Sequence, residues 1–261
     1  MKNKIIEIFA KNFFNTFYSD CWNDEIQYLI TDLSVKESYA VQDLVAKKKI
    51  LIGERAIGYK VGCTSHAIQS QFGLHEPIFG RLFWPHIFDE EKEINWKKYT
   101  NCAIEPEMVL KIGKDLEGEN LPDQVLINSI EYVSPGIEIH NFKFWFMPPT
   151  LQELICSNGI HAGLVVGSSK SSPNILSFKS EWFSVYKNDK VIKKAKASEI
   201  MGGPLHSLRW LTGKLTKQGE VLKAGCLVIP GSPVELINIC EDTKLTVNIE
   251  KVGETTAYFK S

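Results

Sequence analysis

The sequence predicts an α+β fold, a mainly helical N-terminal section over residues 1–76 followed by a strand-rich body over residues 77–261. Two observations carry this expectation. Apolar residues recur at helical spacing through the first fifty-odd positions, and from about residue 77 short apolar runs bounded by turn residues take over. Helices and strands do not alternate as in a chain of βαβ units, which argues against a Rossmann-type fold.

Ile5, Ile6, Phe9, Phe13 and Phe17 line one face of a first helix. Ser34 and Glu37 make a capping box, and the helix it opens runs through Ala40, Val41, Leu44 and Val45. Residues 57–63 read as a short buried strand, followed by a helix from Ser65 through Phe72. Strands are then expected at 78–83, 103–112, 131–139, 162–167, 181–187, 190–196, 226–230, 244–251 and 254–259. Asn188-Asp189 and Val252-Gly253 supply turns. Two helices interrupt the strands: one over 121–130, and one opened by Gly203-Pro204 that carries Leu205, Leu208, Trp210 and Leu211.

Composition narrows the function classes. The 261 residues are 44% hydrophobic and 23% charged, enough for a sizeable core. With 30 basic and 31 acidic residues the net charge is −1, so no global field attracts nucleic acid or an anionic membrane. The basic run at 187–196 alternates with apolar residues and reads as a hairpin strand with its lysines in solvent. Six cysteines (21, 63, 102, 156, 226 and 240) have neither C-x-x-C nor zinc-site spacing, and read as reduced thiols of a cytoplasmic protein. The first eighteen residues are interrupted by Glu7 and Lys11 and lack a signal-peptide core. No apolar stretch approaches the ~20 residues that span a bilayer.

The common catalytic signatures are absent: there is no H-E-x-x-H, P-loop, G-x-S-x-G or G-x-G-x-x-G. What stands out is a set of carboxylates in apolar strands. Glu105 and Glu107 in "AIEPEMVL" share one face of an extended strand, with Pro106 on the other face, which suits an edge or irregular strand. Two like charges side by side repel, so one must take a proton, both must share a cation, or both must face water. Glu138, between Ile137 and Ile139, sits in a similar setting after a Pro-Gly turn. Three oxygen ligands from neighbouring strands suit Mg²⁺ or Mn²⁺; the same spacing also fits glutamates alternating outward on half-exposed strands. Lys60, within the apolar "GYKVGC", either reaches the surface or serves a site.

Taken in order, "SYAVQDL" (38–44), "GYKVGCTS" (58–65), "FGRLF" (79–83), "IEPEMVLKIGKDL" (104–116), "SPGIEIHN" (134–141), "GPLHSLRWL" (203–211) and "LKAGCLVIPG" (222–231) span nearly the whole chain. The set resembles the 2-keto-4-pentenoate hydratase and 4-oxalocrotonate decarboxylase family of the fumarylacetoacetate hydrolase superfamily. The resemblance implies a mixed β-sheet rolled on itself and a Mg²⁺ or Mn²⁺ site made by Glu105, Glu107 and Glu138. It implies that Lys60 lies beside the substrate, with Ile78, Phe79, Gly80, Gly231 and Ser232 around it. It also implies a lyase acting on a 2-oxo or 2-hydroxydienoic acid by hydration or decarboxylation, a homo-oligomer, and possible association with a pathway enzyme.

The chain departs from that family's pattern in three places. Ile78 stands for an aspartate in "PIFG", Ser157-Asn158 for an Asp-Asn pair, and Pro230 for the usual Ser or Thr before Gly231. His161 occupies a place where a small residue is common; it or His140 is a candidate acid-base group, and a structural role is the alternative for both. Isoleucine for aspartate removes a proton carrier and makes the wall apolar. The alternatives are therefore another enolate reaction, such as dehydration, isomerisation or cyclisation, or a non-catalytic partner subunit. Nothing matches the histidine and glutamate arrangement of the superfamily's carbon-carbon hydrolases.

Overall fold

The computed structural model describes residues 2–19, 24–64, 76–142 and 149–261. The helix expected over 65–72, together with Cys21, His66 and His75, lies outside them. Two long helices open the chain: α1 (Lys2–Tyr18) and α2 (Val35–Leu51). Ser34 accepts from the Glu37 N–H while the Glu37 carboxylate takes the Ser34 N–H, the reciprocal cap expected from the sequence. Phe9 and Phe13 are buried, and each such side chain contributes about 1.5–3 kcal/mol of apolar burial.

The body begins with β1 (Arg55–Gly62) and β2 (Ile78–Trp84), an antiparallel pair. There follow β3 (Ile87–Asp89), β4 (Lys92–Asn95), β5 (Ala103–Ile112), α3 (Asp123–Ser129) and β6 (Ile130–His140). Next come α4 (Leu151–Cys156), β7 (His161–Val166), β8 (Trp182–Lys187), β9 (Lys190–Lys196) and α5 (Pro204–Lys217). The chain closes with β10 (Leu227–Ile229), β11 (Ile237–Asn238), β12 (Thr243–Ile249) and β13 (Gly253–Lys260). Among the described residues these strands form two sheets. The larger runs β2-β1-β10-β5-β6-β7-β3, with β11 also on β5; the smaller runs β4-β13-β12-β8-β9.

The larger sheet curls until β2 touches β3 and β7 from the far end of the strand order. Its concave face carries a small apolar floor of Leu82, Val109, Leu164 and Ile229. Its other face joins the second sheet and α5 in the main core, through residues such as Met108, Ile137, Phe183, Leu208 and Val247. A separate core holds α1 and α2 against α4 and Ile78. Strand β1 therefore belongs to the same sheet as the strands of the body, and the N-terminal helices cover one end of it.

Of the edge or irregular strand that Pro106 suits, β5 is the irregular one, lying inside the sheet. It pairs with β6 along its length, but on its other side β11 meets Ile104 and β10 meets Leu110 and Lys111. Pro106 falls in the interval between those two partners, where a missing N–H breaks no ladder bond. The lysines of β9 lie in solvent as expected, on the outer strand of the smaller sheet.

A second charged group is buried where α1, α2 and the large sheet meet. Lys49 Nζ lies 3.2 Å from the Phe17 ring centre and 3.4 Å from Glu54. The Glu54 carboxylate also accepts from Tyr18 and meets His86 Nε2 at 2.8 Å.

Candidate active site

Strand register assembles the carboxylates. Across the β5–β6 ladder Glu105 stands opposite Glu138, Glu107 opposite Gly136, and Ala103 opposite His140. The period of two puts Glu105, Glu107, Glu138 and His140 on one face, the concave one, while Ile104, Met108, Ile137 and Ile139 enter the main core. Glu107 and Glu138 are fully buried.

His161 joins this face through an irregularity. Along β6–β7 the pairing runs Glu138 with Leu164 and Ile139 with Gly163, then skips Ala162 so that His140 pairs with His161. The extra residue is a β-bulge, which re-aims the side chain beside it. His161 Nδ1 lies 2.8 Å from Glu138 Oε1.

The curl brings in the fourth side. Lys60 on β1 reaches across the concavity, its Nζ 2.6 Å from Glu138 Oε1 and 3.0 Å from the Gly159 carbonyl. His140 Nε2 lies 3.0 Å from Glu105 Oε2 and 3.5 Å from Glu138 Oε2. One potential ligand atom from each of Glu105, Glu138 and His140 falls within a 4.8 Å spread. Glu107 accepts the Gly231 N–H at 3.1 Å. Gly231 has φ +114°, and a Cβ there would lie 2.6 Å from Thr64, so the approach to Glu107 requires glycine.

Several buried polar atoms of this cluster make no hydrogen bond: Glu107 Oε1, Glu138 Oε2, His140 Nδ1 and His161 Nε2. Unsatisfied buried carboxylate oxygens are costly unless a ligand completes them. Burial and the adjacent Glu138 and Glu105 push the Glu107 carboxyl well above the usual carboxylate range. Burial acts the same way on Glu138, but Lys60, His140 and His161 outweigh it and hold that carboxyl below the usual range. Burial opposes the Lys60 charge, and the facing glutamates more than restore it. His161 is pushed down to about 4, chiefly by burial. It is therefore neutral near pH 7; with Nδ1–H donated to the ionised Glu138, Nε2 carries a lone pair. His161 also lines a cavity of about 20 Å³ shared with His86, Lys49 and Asn158, room for about one water.

The other residues singled out in the sequence are distributed around this cluster. Ile78 is buried and pairs with Gly62, on the Lys60 face of the sheet. Gly80 pairs with Lys60, and a Cβ on it would lie 2.7 Å from Asn158 Oδ1. The Phe79 side chain points to the opposite face, stacked on Tyr39 with ring centres 4.8 Å apart. Ser232 Oγ donates to the Val234 carbonyl at 2.8 Å. Sequence reasoning missed the Gly159 carbonyl and the Asn158 side chain. The usable signal was the T-x-x-E box at Thr150 and Glu153, which caps α4 and seats the turn that follows.

No family model matches the chain. A 2-keto-4-pentenoate hydratase of Paraburkholderia xenovorans is 26% identical over 230 residues, covering 88% of this chain and 86% of that protein. A 4-oxalocrotonate decarboxylase of a Pseudomonas species is 27% identical over 221 residues, 85% of each chain. Among solved structures, 4-oxalocrotonate decarboxylase from Pseudomonas putida G7, complexed with magnesium and adipate, superposes with a TM-score of 0.93 at 20% identity; the match covers 100% of this chain and 98% of that one. The superposition and the curled sheet show a fumarylacetoacetate hydrolase-type fold. In sequence the chain is similar to the 2-keto-4-pentenoate hydratases and 4-oxalocrotonate decarboxylases.

Proposed function

We propose that this protein is a divalent-metal-dependent lyase that hydrates or decarboxylates a 2-oxo or 2-hydroxydienoic acid by way of an enolate. The observation that carries the reading is the buried carboxylate face, in which neither Glu107 Oε1 nor Glu138 Oε2 is satisfied by a hydrogen bond. An oxygen-rich, net negative set of this kind fits a hard cation such as Mg²⁺ or Mn²⁺, with Glu105, Glu107 and Glu138 as the ligands. When bound, such an ion supplies Lewis-acid stabilisation of the negative charge that develops on a 2-oxo acid.

The protein groups divide the remaining work. The Lys60 ammonium has three N–H donors, of which Glu138 and the Gly159 carbonyl take two, leaving one for the substrate's anionic oxygen. His161 Nε2 is the atom we assign to proton transfer, its imidazole oriented by Glu138. Ile78 gives an apolar wall, Gly80 admits the Asn158 amide beside Lys60, and Gly231, next to Glu107, and Ser232 are assigned to the substrate's surroundings. Because Ile78 cannot hold or activate a water, the same site also suits an enolate reaction without water addition, and decarboxylation fits it better than hydration. We further assign the protein to the cytoplasm and to a homo-oligomer, acting on a small molecule.

Oxalate tests the reading, since its oxygens imitate the planar face of a 2-oxo acid enolate. Calorimetry should show oxalate binding only with Mg²⁺ or Mn²⁺, loss of it in Glu105→Gln, and weakening in Lys60→Ala. Failure of the unmodified protein to bind either metal would replace this reading with a non-catalytic partner subunit.

A further inference from the structure

The "SYAVQDL" segment of α2 contributes nothing to the carboxylate face, yet three of its side chains hold β2. Tyr39 Oη accepts the Phe79 N–H at 3.2 Å, and Asp43 pairs with Arg81 at 2.7 Å. Gln42 Nε2 donates to the carbonyls of Phe79 at 3.0 Å and Ile155 at 2.8 Å, tying the end of α4 to β2. The chain leaves α4 through Asn158, Gly159 and Ile160, whose φ angles are +62°, +64° and +53°. Three successive left-handed residues are rare, and a β-branched residue among them is a genuine outlier. Such a turn persists only where its surroundings over-determine it.

What holds it is the Asn158 amide. Its Oδ1 accepts the Arg81 N–H at 2.6 Å and its Nδ2 donates to the Arg81 carbonyl at 2.8 Å. The absence of a side chain on Gly80 lets the amide approach. The Ser157 hydroxyl accepts the Ile160 N–H at 3.3 Å on the other side of the turn. The result points the Gly159 carbonyl at Lys60 Nζ, with the lysine stem packed over Gly159.

We infer that Asn158 is a positioning residue for Lys60, acting through the Gly159 carbonyl, so that the clamped left-handed turn sets where the remaining ammonium N–H points. This rests on the role given to Lys60 in the proposed function. The test compares Asn158→Gly, which keeps left-handed freedom and removes the clamp, with Asn158→Asp, which keeps the acceptor for the Arg81 N–H and loses the donor. Lys60→Met and the double variant Asn158→Gly/Lys60→Met complete the set.

Two measurements apply. In metal-free protein, acetylation of Lys60 by acetic anhydride, relative to exposed Lys190, is followed by peptide mass spectrometry; with Mg²⁺ present, oxalate affinity is followed by calorimetry. Asn158→Gly should raise Lys60 labelling about tenfold and weaken oxalate about tenfold, with Asn158→Asp between it and the unmodified protein, and the double variant should bind no worse than Lys60→Met alone. Unchanged labelling, or losses that multiply in the double variant, would overturn the inference. Should Asn158→Gly not fold, Asn158→Asp carries the same comparison. If unmodified protein binds no oxalate with metal, the functional reading falls, while the labelling still decides whether Asn158 holds Lys60.

Discussion

Lys60 and Glu138 meet at 2.6 Å although β10 and β5 separate their strands in the sheet. The contact crosses the concave face, so it exists only because the sheet curls. Both partners are buried, and breaking such a pair leaves an uncompensated charge. Lys60→Met should therefore lower metal-free stability by about 3–5 kcal/mol in urea unfolding. Adding Glu138→Gln should recover part of the loss, because the buried carboxylate then no longer needs a counterion.

Glu107 responds differently. Burial and the facing Glu138 and Glu105 raise its carboxyl well above the usual range, so without metal its charge is disfavoured and an uncharged glutamine costs little there. Glu107→Gln should stay within about 1 kcal/mol of the unmodified protein in metal-free buffer. In Mg²⁺ at a hundred times its Kd, the unmodified protein should gain about 2.7 kcal/mol and the variant nothing. Chelation should reverse the gain; equal responses in the two proteins would remove Glu107 from the ligand set.

The Lys49 cluster gives a pH signature away from the carboxylates. Burial lowers Lys49 to about 8, against the opposing pull of Glu54. The folded pKa lies below the unfolded value near 10.5, so between about pH 8 and 10.5 the unfolded chain binds more protons and stability rises with pH. The stability of the unmodified protein minus that of Lys49→Met should climb across this window, at no more than about 1.4 kcal/mol per pH unit. A flat difference would mean that Lys49 titrates normally.

Phe9 is fully buried in the core that α1 and α2 share with Leu154 and Ile155. Phe9→Ala should cost about 3–5 kcal/mol. Because that core also includes Ile78 of β2, far-ultraviolet circular dichroism and oxalate binding should be lost in one transition. Two separate transitions would divide the chain into units that unfold independently.

Much of this molecule was legible locally. Alternation and turn residues located β5, β6, β8, β9, β12 and β13 to within one or two residues, and Ser34 with Glu37 marked the start of α2. Glu105, Glu107 and Glu138 were visible as charges in apolar strands. Other features depend on distant partners. Pro106 left an edge and an irregular strand both open because the gap between β10 and β11 is written more than a hundred residues away. The three-residue β3 and two-residue β11 are too short for any period to appear. The approach of His140 to Glu105 follows from the β5–β6 register, and the reach of Lys60 from the curl.

The skip at Ala162 makes the β6–β7 ladder a selector between neighbours. In an unbroken ladder Ala162 would stand opposite His140; with the bulge His161 does. A slip of one residue would thus exchange an imidazole for a methyl group beside Glu138 without altering a single codon. The chemistry available at this wall is specified by counting as well as by composition, and any change that straightens β7 rewrites it.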